Sequence, residues 1–352
     1  MVFGKVTKNM DWKKQKVLVT GGASFIGSHM VDSLVNLGAF VRVADDFSSG
    51  QQQEIQRHID AGDVELFHGD LREPGMAKKA IAGMSVIFHL AADHGGRGYV
   101  DTFQAGPASN MLLDGVVFWE ALNAGVEKVV FASSGCVYPN FLQSDVNEEL
   151  YLTEDLVKPP YDADNMYGWA KLMGELTLQA YHREHGLKSA SCRYFTAYGP
   201  RAKETHAVMA MTARAFLGRN PFEVWGDGTQ VRNWTYVDDI VTGTILAAEK
   251  IDDGTAINLG TVERTTVLEA AQLVLEMTGH DAEIKLLTDM PTGPLNRVAD
   301  NALASKLLGW TPEISFREGL RRTIDWYYAH KSKDEIQRIM DSGGTMVRKV
   351  TQ

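Results

Sequence analysis

Two short segments bring together residue types that can exchange protons with an alcohol. The first contains Ser134 and Cys136 and follows an apolar run at 129–132, which predicts a buried strand. The second contains Tyr167 and Lys171, which are four positions apart and would share one face of a helix. An ammonium beside a phenol favours the phenolate, so we expect the pKa of Tyr167 to fall below its ordinary value of about 10. A hydroxyl, an activated phenol and an ammonium can together handle the proton of an alcohol that becomes a ketone.

A tyrosine and a lysine at helical spacing are, by themselves, more often surface residues than a proton-transfer pair. The upstream sequence changes this interpretation. Residues 16–20 predict a strand, the turn 21–27 is rich in glycine, 28–37 continue as a helix, and 40–44 form a second strand that ends on the acidic pair 45–46. This order of elements is typical of the unit that binds dinucleotides: a strand, a glycine turn, a helix, a second strand and an acidic residue. The alternative interpretation of residues 21–27 is an ordinary glycine-rich turn without a ligand.

The turn departs from the usual GxxGxxG pattern at its middle glycine, which is Ser24 here. Gly21 and Gly27 remain, and they let the backbone approach a pyrophosphate bound at the helix N-terminus. Serine is small enough for the turn but tolerates a positive φ poorly. Asp45, about twenty residues further on, is placed to accept both ribose hydroxyls, and its charge would repel a 2′-phosphate. The unit therefore predicts NAD rather than NADP.

The alternation of strands and helices continues beyond this unit. Further strands are predicted at 64–67, 85–90, 129–132 and 188–195, with helices at 110–123 and 165–185. Asp70, after the third strand, is placed to bond an adenine amino group. Repeated βα units predict an α/β fold with a Rossmann-type, doubly wound parallel sheet. Ligands of such sheets bind at the carboxyl ends of the strands, where Ser134 and Cys136 are expected.

The regular alternation of strands and helices stops near residue 200, which suggests that the chain divides into two domains there. Residues 1–14 are interpreted as a polar extension and 15–200 as the NAD-binding domain. Residues 201–330 are interpreted mainly as a smaller C-terminal α/β substrate lobe, with some segments returning to the large domain. The tail 331–352 is polar and could hold a short helix. Helices in the lobe are predicted near 206–217, 239–249, 266–278 and 314–330.

The composition excludes several classes of protein. The 352 residues are 44% apolar, which is ample for a large core. A net charge of -10 provides no basic field for nucleic acid or an anionic membrane surface. The two cysteines, Cys136 and Cys192, form no disulfide framework, and neither a signal peptide nor a membrane-spanning run is recognisable. We expect a cytoplasmic protein that binds no metal, with Cys192 in the core.

Several motifs in order give the chain a resemblance to a known family. It resembles the extended short-chain dehydrogenase/reductases that modify nucleotide-activated sugars. The matching segments are TGGASFIGSH, GDL at 69–71, HLAA at 89–92, SSGCVYP, YGWAK, RYFTAYGP, WGDGTQVRNWTYVDD and NLG at 258–260. The resemblance covers residues 16 to about 330 and implies contacts with NAD from Gly21, Ser24, Phe25, Ile26, Gly27, Asp45, Asp46, Asp70, Leu71, Leu90, Ala91, Ala92, Tyr167, Lys171 and Phe195.

The residues after the serines indicate which reaction of the family is favoured. Dehydratases of the family carry an Asp-Glu pair where this chain has Gly135 and Cys136, which disfavours dehydration. Ser-Ser-x-Cys-x-Tyr-Pro and the segment AADHGGRGY instead resemble the members that epimerise GDP-mannose at C3 and C5. His206 falls where those members have a catalytic lysine, and where the GDP-fucose synthases have a catalytic histidine.

The resemblance makes chemical sense for Cys136 and His206. A ketone at C4 of a sugar acidifies the protons on C3 and C5, and inversion needs one group to remove a proton and another to return one. A thiol and an imidazole ordinarily titrate at about 8.5 and 6.5, near working pH. The alternatives are a structural cysteine lining the pocket and a solvated histidine at a helix start.

The remaining predicted contacts concern the substrate. The family motifs around Arg232 and Arg297 imply that both side chains bind the diphosphate of the substrate. A guanidinium can donate two parallel hydrogen bonds to such a group. Thr196 replaces the asparagine that usually contacts the sugar, so sugar placement or nucleotide identity is expected to differ. The predicted substrate residues are Gly95, Gly96, Arg97, Ser134, Cys136, Thr196, His206, Arg232 and Arg297.

The sequence thus predicts an NAD-dependent epimerase of a nucleotide sugar that works through a transient 4-keto intermediate, with inversion at C3, C5 or both. The first alternative is a plain 4-epimerase acting on a UDP-sugar, in which Cys136 only lines the pocket. A net oxidoreductase of the GDP-fucose synthase kind would prefer NADPH, against which Asp45 argues. A non-catalytic NAD-binding scaffold would be expected to have lost Ser134, Tyr167 or Lys171. Apolar faces near 103–123 and 165–185 are expected to bury against another surface, and the family resemblance implies that this surface is a second copy in a homodimer.

Overall fold

The central element is a seven-stranded parallel sheet, described here from a computed structural model that covers residues 10–341. Its strands are β1 Lys16–Thr20, β2 Phe40–Asp45, β3 Val64–His68, β4 Val86–His89, β5 Lys128–Ser134, β6 Lys188–Tyr194 and β11 Asp253–Leu259. Their order across the sheet is β11-β6-β5-β4-β1-β2-β3. The Rossmann-type fold class and six of these strands agree with the sequence prediction.

Helices cover both faces of this sheet, because successive strand residues point to opposite sides. The helices up to β6 are α1 Phe25–Asn36, α2 Gln56–Ala61, α3 Met76–Ile81, α4 Arg97–Thr102, α5 Ala105–Ala108, α6 Asn110–Asn123 and α7 Asn165–His185. Val17 and Val19 face the core beneath α1, whereas Leu18 faces the core beneath α3 and α6.

After β6 the chain builds three small sheets and the remaining helices. The short strands are β7 Ala197–Tyr198, β8 Phe222–Trp225, β9 Val231–Arg232, β10 Thr235–Tyr236, β12 Thr265–Thr266, β13 Ile284–Leu287 and β14 Asn296–Arg297. The helices are α8 Ala207–Phe216, α9 Val237–Lys250, α10 Val267–Thr278, α11 Ala302–Leu308, α12 Phe316–His330 and α13 Lys333–Asp341. No helix among residues 10–341 is long and apolar enough to cross a membrane.

The sequence prediction did not identify β11 as the seventh strand of the large sheet. Its segment DGTAINL has few β-branched residues and no clear alternation, so local pattern alone does not reveal it. It pairs with β6 along its length, and Asn258 stands opposite Arg193. A segment from the predicted lobe therefore completes the large sheet.

Both ends of the described chain contact the body of the protein. Within the predicted extension 1–14, Trp12 is buried, its ring lies 6.0 Å from that of Phe88, and its indole N–H donates to Glu249 at 2.8 Å. In the predicted tail, α13 inserts Ile336 into a small core cluster. The parts of these predictions at 1–9 and 342–352 lie outside the described residues.

A buried ion pair joins α7 to β6 behind the carboxyl end of β5. The Arg193 guanidinium donates Nε to Glu175 Oε1 at 3.0 Å and its second amino group to Oε2 at 2.8 Å. Ser133 also donates to Glu175, and Arg193 donates to the hydroxyl of Tyr138, which in turn donates to Asn258 at 2.7 Å. One network therefore holds strand β5, helix α7, strand β6 and strand β11 in register.

We predict that breaking this pair destabilises the protein strongly. Glu175→Gln leaves the Arg193 charge buried without a counter-charge, and the free energy of unfolding should fall by about 3–5 kcal/mol. The double variant Glu175→Leu/Arg193→Met should be more stable than the single variant, because no uncompensated charge remains. Urea unfolding followed by circular dichroism measures both.

Asp325→Asn serves as the matched control, because it removes an exposed partner of Arg321. Its unfolding midpoint should stay at the wild-type value. A Glu175→Gln variant as stable as wild type would show that this network does not organise the fold.

Candidate active site

The glycine turn between β1 and α1 has the shape that a pyrophosphate site needs. Gly21 has a φ of +68°, and a Cβ on Gly27 would collide with the Gly21 carbonyl oxygen. Ser24 has a φ of −93°, so serine meets no backbone strain at the position where the usual pattern has glycine. Its hydroxyl donates to the Gly21 carbonyl at 2.6 Å and closes the turn.

Asp45 lies at the end of β2 beside this turn. Its carboxylate accepts backbone N–H groups from Ala23 at 2.9 Å and Phe47 at 2.8 Å, and each carboxylate oxygen keeps a second lone pair. Burial raises the pKa of Asp45 above its ordinary value, although these two hydrogen bonds oppose the effect. Asp70, predicted to bond adenine, forms a bidentate ion pair with Arg72 at the same edge, with Nε on Oδ1 and an amino group on Oδ2.

These residues line a cleft of about 60 Å³ at the point where the strand order reverses between β1 and β4, which is where such sheets bind ligands. The predicted cofactor residues on its wall are Gly21, Ser24, Asp45, Asp46, Asp70, Leu71, Leu90, Ala91 and Ala92. Phe25, Ile26, Tyr167, Lys171 and Phe195 line the adjoining cavity. Gly27 lies under the turn rather than on the wall.

A buried hydrogen-bond chain fixes the loop after β4 against the turn. Asp114 on α6 accepts from His89 Nε2 at 2.9 Å, and His89 Nδ1 lies 2.7 Å from the Thr20 hydroxyl. That hydroxyl accepts the backbone N–H of Leu90 at 3.2 Å and of Ala91 at 3.1 Å. The HLAA motif thus brings its backbone against Gly21, where a Cβ would lie only 2.9 Å from Ala91.

Ser134, Tyr167 and Lys171 lie together at the carboxyl end of β5. The Ser134 side chain lies beside the Tyr167 hydroxyl, where it opposes the rise in the Tyr167 pKa, and its Oγ accepts the backbone N–H of Cys136 at 3.1 Å. The Lys171 ammonium lies 5.8 Å from the centre of the Tyr167 ring and 4.6 Å from that of Phe131. Strand β5 and helix α7 therefore bring the predicted hydroxyl, phenol and ammonium to one place.

The prediction that Lys171 lowers the pKa of Tyr167 below its ordinary value is wrong for the protein chain by itself. Burial raises the pKa of Tyr167, with further contributions from Cys136 and Asp114, and burial lowers the pKa of Lys171. The physical reason is that both groups are desolvated, and removal from water disfavours phenolate and ammonium alike.

The Lys171 ammonium also has hydrogen-bond donors that a ligand could use. Its buried Nζ makes no hydrogen bond within the described chain, and neither does Oδ2 of Asp114 beneath it. An ammonium has three donors, and the ribose hydroxyls of a dinucleotide are suitable acceptors. The glycine turn, the Asp45 carboxylate and this ammonium fit the predicted NAD.

Cys136 and His206 face the same cavity of about 260 Å³ as the serine, tyrosine and lysine. Arg297 donates to the Cys136 sulfur at 3.2 Å. Burial and the charge of Lys203 lower the pKa of His206 to about 4. Cys192 is fully buried in β6, and burial raises its thiol pKa to about 12, so it is inert.

An arginine cluster lies where this cavity opens into a second one of about 300 Å³. Asp164 bridges Arg97 at 2.8 Å and Arg297 at 3.0 Å, and these arginines bring its pKa below the ordinary value although burial raises it. Arg232 donates to the carbonyls of Val231 and Thr292 instead of a carboxylate. Burial and the other two arginines lower its pKa to about 9. Arg97 also pairs with Asp101, to which its Nε donates at 2.7 Å. Three guanidiniums and two carboxylates leave one net positive charge here for an anionic group.

All nine predicted substrate residues lie on the walls of these two cavities, including Gly95, Gly96 and Thr196. Sequence reasoning missed other residues on the same walls, among them His94 and Lys203. Lys203 reaches across the cleft to donate to Ser49 at 2.9 Å. A lone lysine in a loop carries no pattern that would reveal this contact.

Comparison with known proteins places the chain in a family. Residues 17–260 match the model of the NAD dependent epimerase/dehydratase family. GDP-mannose 3,5-epimerase of Arabidopsis thaliana is 30% identical over 343 residues, which are 95% of this chain and 88% of that protein.

Solved structures with the same fold include 4-epimerases. UDP-glucose 4-epimerase of Thermotoga maritima with UDP-glucose has a TM-score of 0.79 and 31% identity, covering 89% of this chain and 99% of that one. UDP-glucose 4-epimerase of Thermus thermophilus in complex with NAD has a TM-score of 0.79 and 28% identity, covering 90% and 100%. The chain therefore belongs to the NAD-dependent epimerase/dehydratase family of nucleotide-sugar enzymes, with the extended short-chain dehydrogenase/reductase fold.

Proposed function

We propose that the protein epimerises a nucleotide-activated sugar through a transient 4-keto intermediate and inverts C3, C5 or both. One observation supports this above the others: Cys136 and His206 share a single cavity with Ser134, Tyr167 and Lys171. Three of these side chains suit the oxidation of an alcohol. The other two suit the removal and return of a proton at a carbon next to the resulting ketone.

The redox half of the proposal assigns the hydroxyl proton to Tyr167. Bound NAD supplies reversible hydride transfer. Tyr167 would take the proton of the sugar hydroxyl and later return it, while Ser134, on the same cavity wall, would orient the hydroxyl. Because burial makes the neutral phenol the resting form, a cation is needed to favour the phenolate, and Lys171 is in position to supply it.

The proton-transfer half assigns opposite roles to Cys136 and His206. A pKa of about 4 makes neutral imidazole the resting form of His206 at neutral pH, so it is suited to remove a proton from the carbon. Cys136 would then return a proton as a thiol. Arg297, 3.2 Å from the sulfur, would stabilise the thiolate that remains.

The substrate end of the proposal rests on the arginine cluster. Arg97, Arg232 and Arg297 line the 300 Å³ cavity, whose wall also includes Cys136. A nucleotide diphosphate would add an anionic partner for these arginines, of which Arg97 and Arg297 now share the carboxylate of Asp164. GDP-mannose is our first candidate, since the relatives named above include an enzyme of that substrate.

A plain 4-epimerase is the second candidate, and the structural relatives favour it. Such an enzyme needs Ser134, Tyr167 and Lys171 only. Cys136 and His206 would then contribute shape to the cavity without exchanging a proton with the sugar.

We also propose that two copies associate through α6 and α7, which pack side by side. Leu112 and Trp119 on α6 are 56% and 53% exposed, and Trp169 and Met173 on α7 are 36% and 45% exposed. Phe118, by contrast, is buried in the core. Adjacent apolar stripes of this kind usually bury against a partner, and a two-fold axis would pair each with its copy.

Replacement of Tyr167 should stop turnover without removing the cofactor. Tyr167→Phe deletes the proton acceptor but keeps the ring, so turnover should fall at least a hundredfold. NAD released on denaturation should remain at the wild-type amount. Tyr181→Phe, on the same helix but outside the cavities, is the matched control and should retain full activity. Near-normal activity of Tyr167→Phe would contradict its assigned role.

Solvent deuterium separates the two candidate reactions. In deuterium oxide, inversion at C3 or C5 places one deuteron on each inverted carbon, whereas a 4-epimerase places none there. We predict incorporation with a substrate from a panel of GDP-, UDP- and dTDP-sugars, measured by mass spectrometry. Cys136→Ala should lower the rate of inversion at least a hundredfold, and Cys192→Ala should not change it. A converted sugar without deuterium would establish the 4-epimerase, and no conversion of any sugar would overturn both.

The mass in solution tests the association. Light scattering should give twice the 38.9 kDa of one chain. Leu112→Glu/Trp119→Glu should give the mass of one chain, because charge on the paired face cannot be desolvated without a partner. Phe141→Glu, at an equally exposed apolar residue elsewhere, should leave the mass unchanged. A wild-type mass of one chain at micromolar concentration would contradict the proposal.

A further inference from the structure

A second imidazole stands beside His206 and has no part in the reaction described so far. The ring centre of His94 lies 6.0 Å from that of His206, with the ring planes at 52°. Both side chains line the 260 Å³ cavity, and His94 also lines the cofactor cleft. His94 is exposed to solvent, whereas His206 is half-buried and opens into the cavity.

The backbone holds these two rings near one another. A Cβ on Gly96, two residues after His94, would collide with the carbonyl oxygen of Thr205, the residue before His206. The loop after β4 and the N-terminus of α8 therefore meet in backbone contact, which only glycine permits. The proximity of the rings follows from this packing and not from the rotation of one flexible side chain.

The proposed reaction creates a need for a second proton carrier. Each inversion leaves a proton on His206 and removes one from Cys136. Before the next inversion, the first proton must reach water and the thiolate must regain one. His206 faces a cavity that bound substrate would fill, so direct contact with bulk water is poor during turnover.

We propose that His94 relays protons between His206 and solvent. The protonated His206 ring passes its proton to one ring nitrogen of His94, directly or through one water, and His94 releases a proton from its other nitrogen to bulk water. One proton leaves by this route for each proton that Cys136 regains, and no electrons move. Imidazole suits the task because it exchanges protons near neutral pH at both nitrogens.

Neighbouring charges favour transfer of the proton from His206 toward solvent. Lys203 lies on the same wall, and its positive charge disfavours a second positive charge on His206. Arg297 adds a further cation to that cavity. A proton placed on His206 is therefore released readily to a group nearer solvent. The catalytic consequence of the relay rests on the proposed function, but the relay itself does not require a sugar.

The first experiment measures proton exchange without any substrate. In the NAD-loaded enzyme labelled with ¹⁵N-histidine, NMR gives the rate at which the His206 ring N–H exchanges with water, with the signal assigned by its loss in His206→Gln. His94→Asn and His94→Phe should each slow this rate at least about tenfold. His185→Asn, at an exposed imidazole outside the cavities, should not change it. An unchanged rate in both His94 variants would overturn the relay whatever reaction the enzyme catalyses.

The second experiment measures turnover and chemical rescue. With the sugar that incorporates deuterium, His94→Asn should slow incorporation about tenfold, less than the hundredfold or more lost with a direct acid–base group. Added imidazole buffer should restore the rate in His94→Asn and leave wild type unchanged. A purely structural role for His94 would give a defect that imidazole does not rescue, which would also overturn the proposal. Failure of wild type to convert any sugar would count against the proposed function and not against the relay.

Discussion

The buried pair of Glu175 and Arg193 is the interaction on which the geometry of the site depends. Two opposite charges removed from water are tolerated only with full hydrogen bonding, and here Ser133 and Tyr138 complete it. Ser133 immediately precedes the serine of the site, and Glu175 lies one helical turn beyond Lys171. A network that tolerates no unpaired member thus fixes the end of β5 relative to α7, and with it the spacing of Ser134 and Tyr167.

Burial also changes the acid–base chemistry of three groups in the site. The same exclusion of water raises the pKa of Tyr167, lowers that of Lys171 and lowers that of His206. In each case burial disfavours the charged form. Arg97, Arg232 and Arg297 supply positive charge in the second cavity. This charge would orient a substrate that has a neutral sugar and an anionic tail.

Much of this could be predicted from the sequence, because the signals are local. The glycine turn, Asp45 and the Tyr167–Lys171 spacing each lie within one or two elements, and the α/β alternation gives the sheet. What could not be predicted depends on contacts between distant segments. Strand β11 is fixed by its pairing with β6, the pKa of Tyr167 by burial beneath several elements, and the approach of His94 to His206 by the meeting of Gly96 with Thr205. None of these leaves a periodic pattern in the sequence.

The difference between the two candidate reactions is small in structural terms. Oxidation at C4 uses residues held by the rigid network, and both candidates share them. Inversion at C3 or C5 needs in addition a donor and an acceptor on the wall, and a path by which their protons are reset. Cys136 sits on the serine segment and His206 immediately before α8, so the pair joins the end of β5 to the elements that follow β6. A reaction that depends on both would then be sensitive to how those two parts meet, whereas oxidation at C4 uses side chains from β5 and α7.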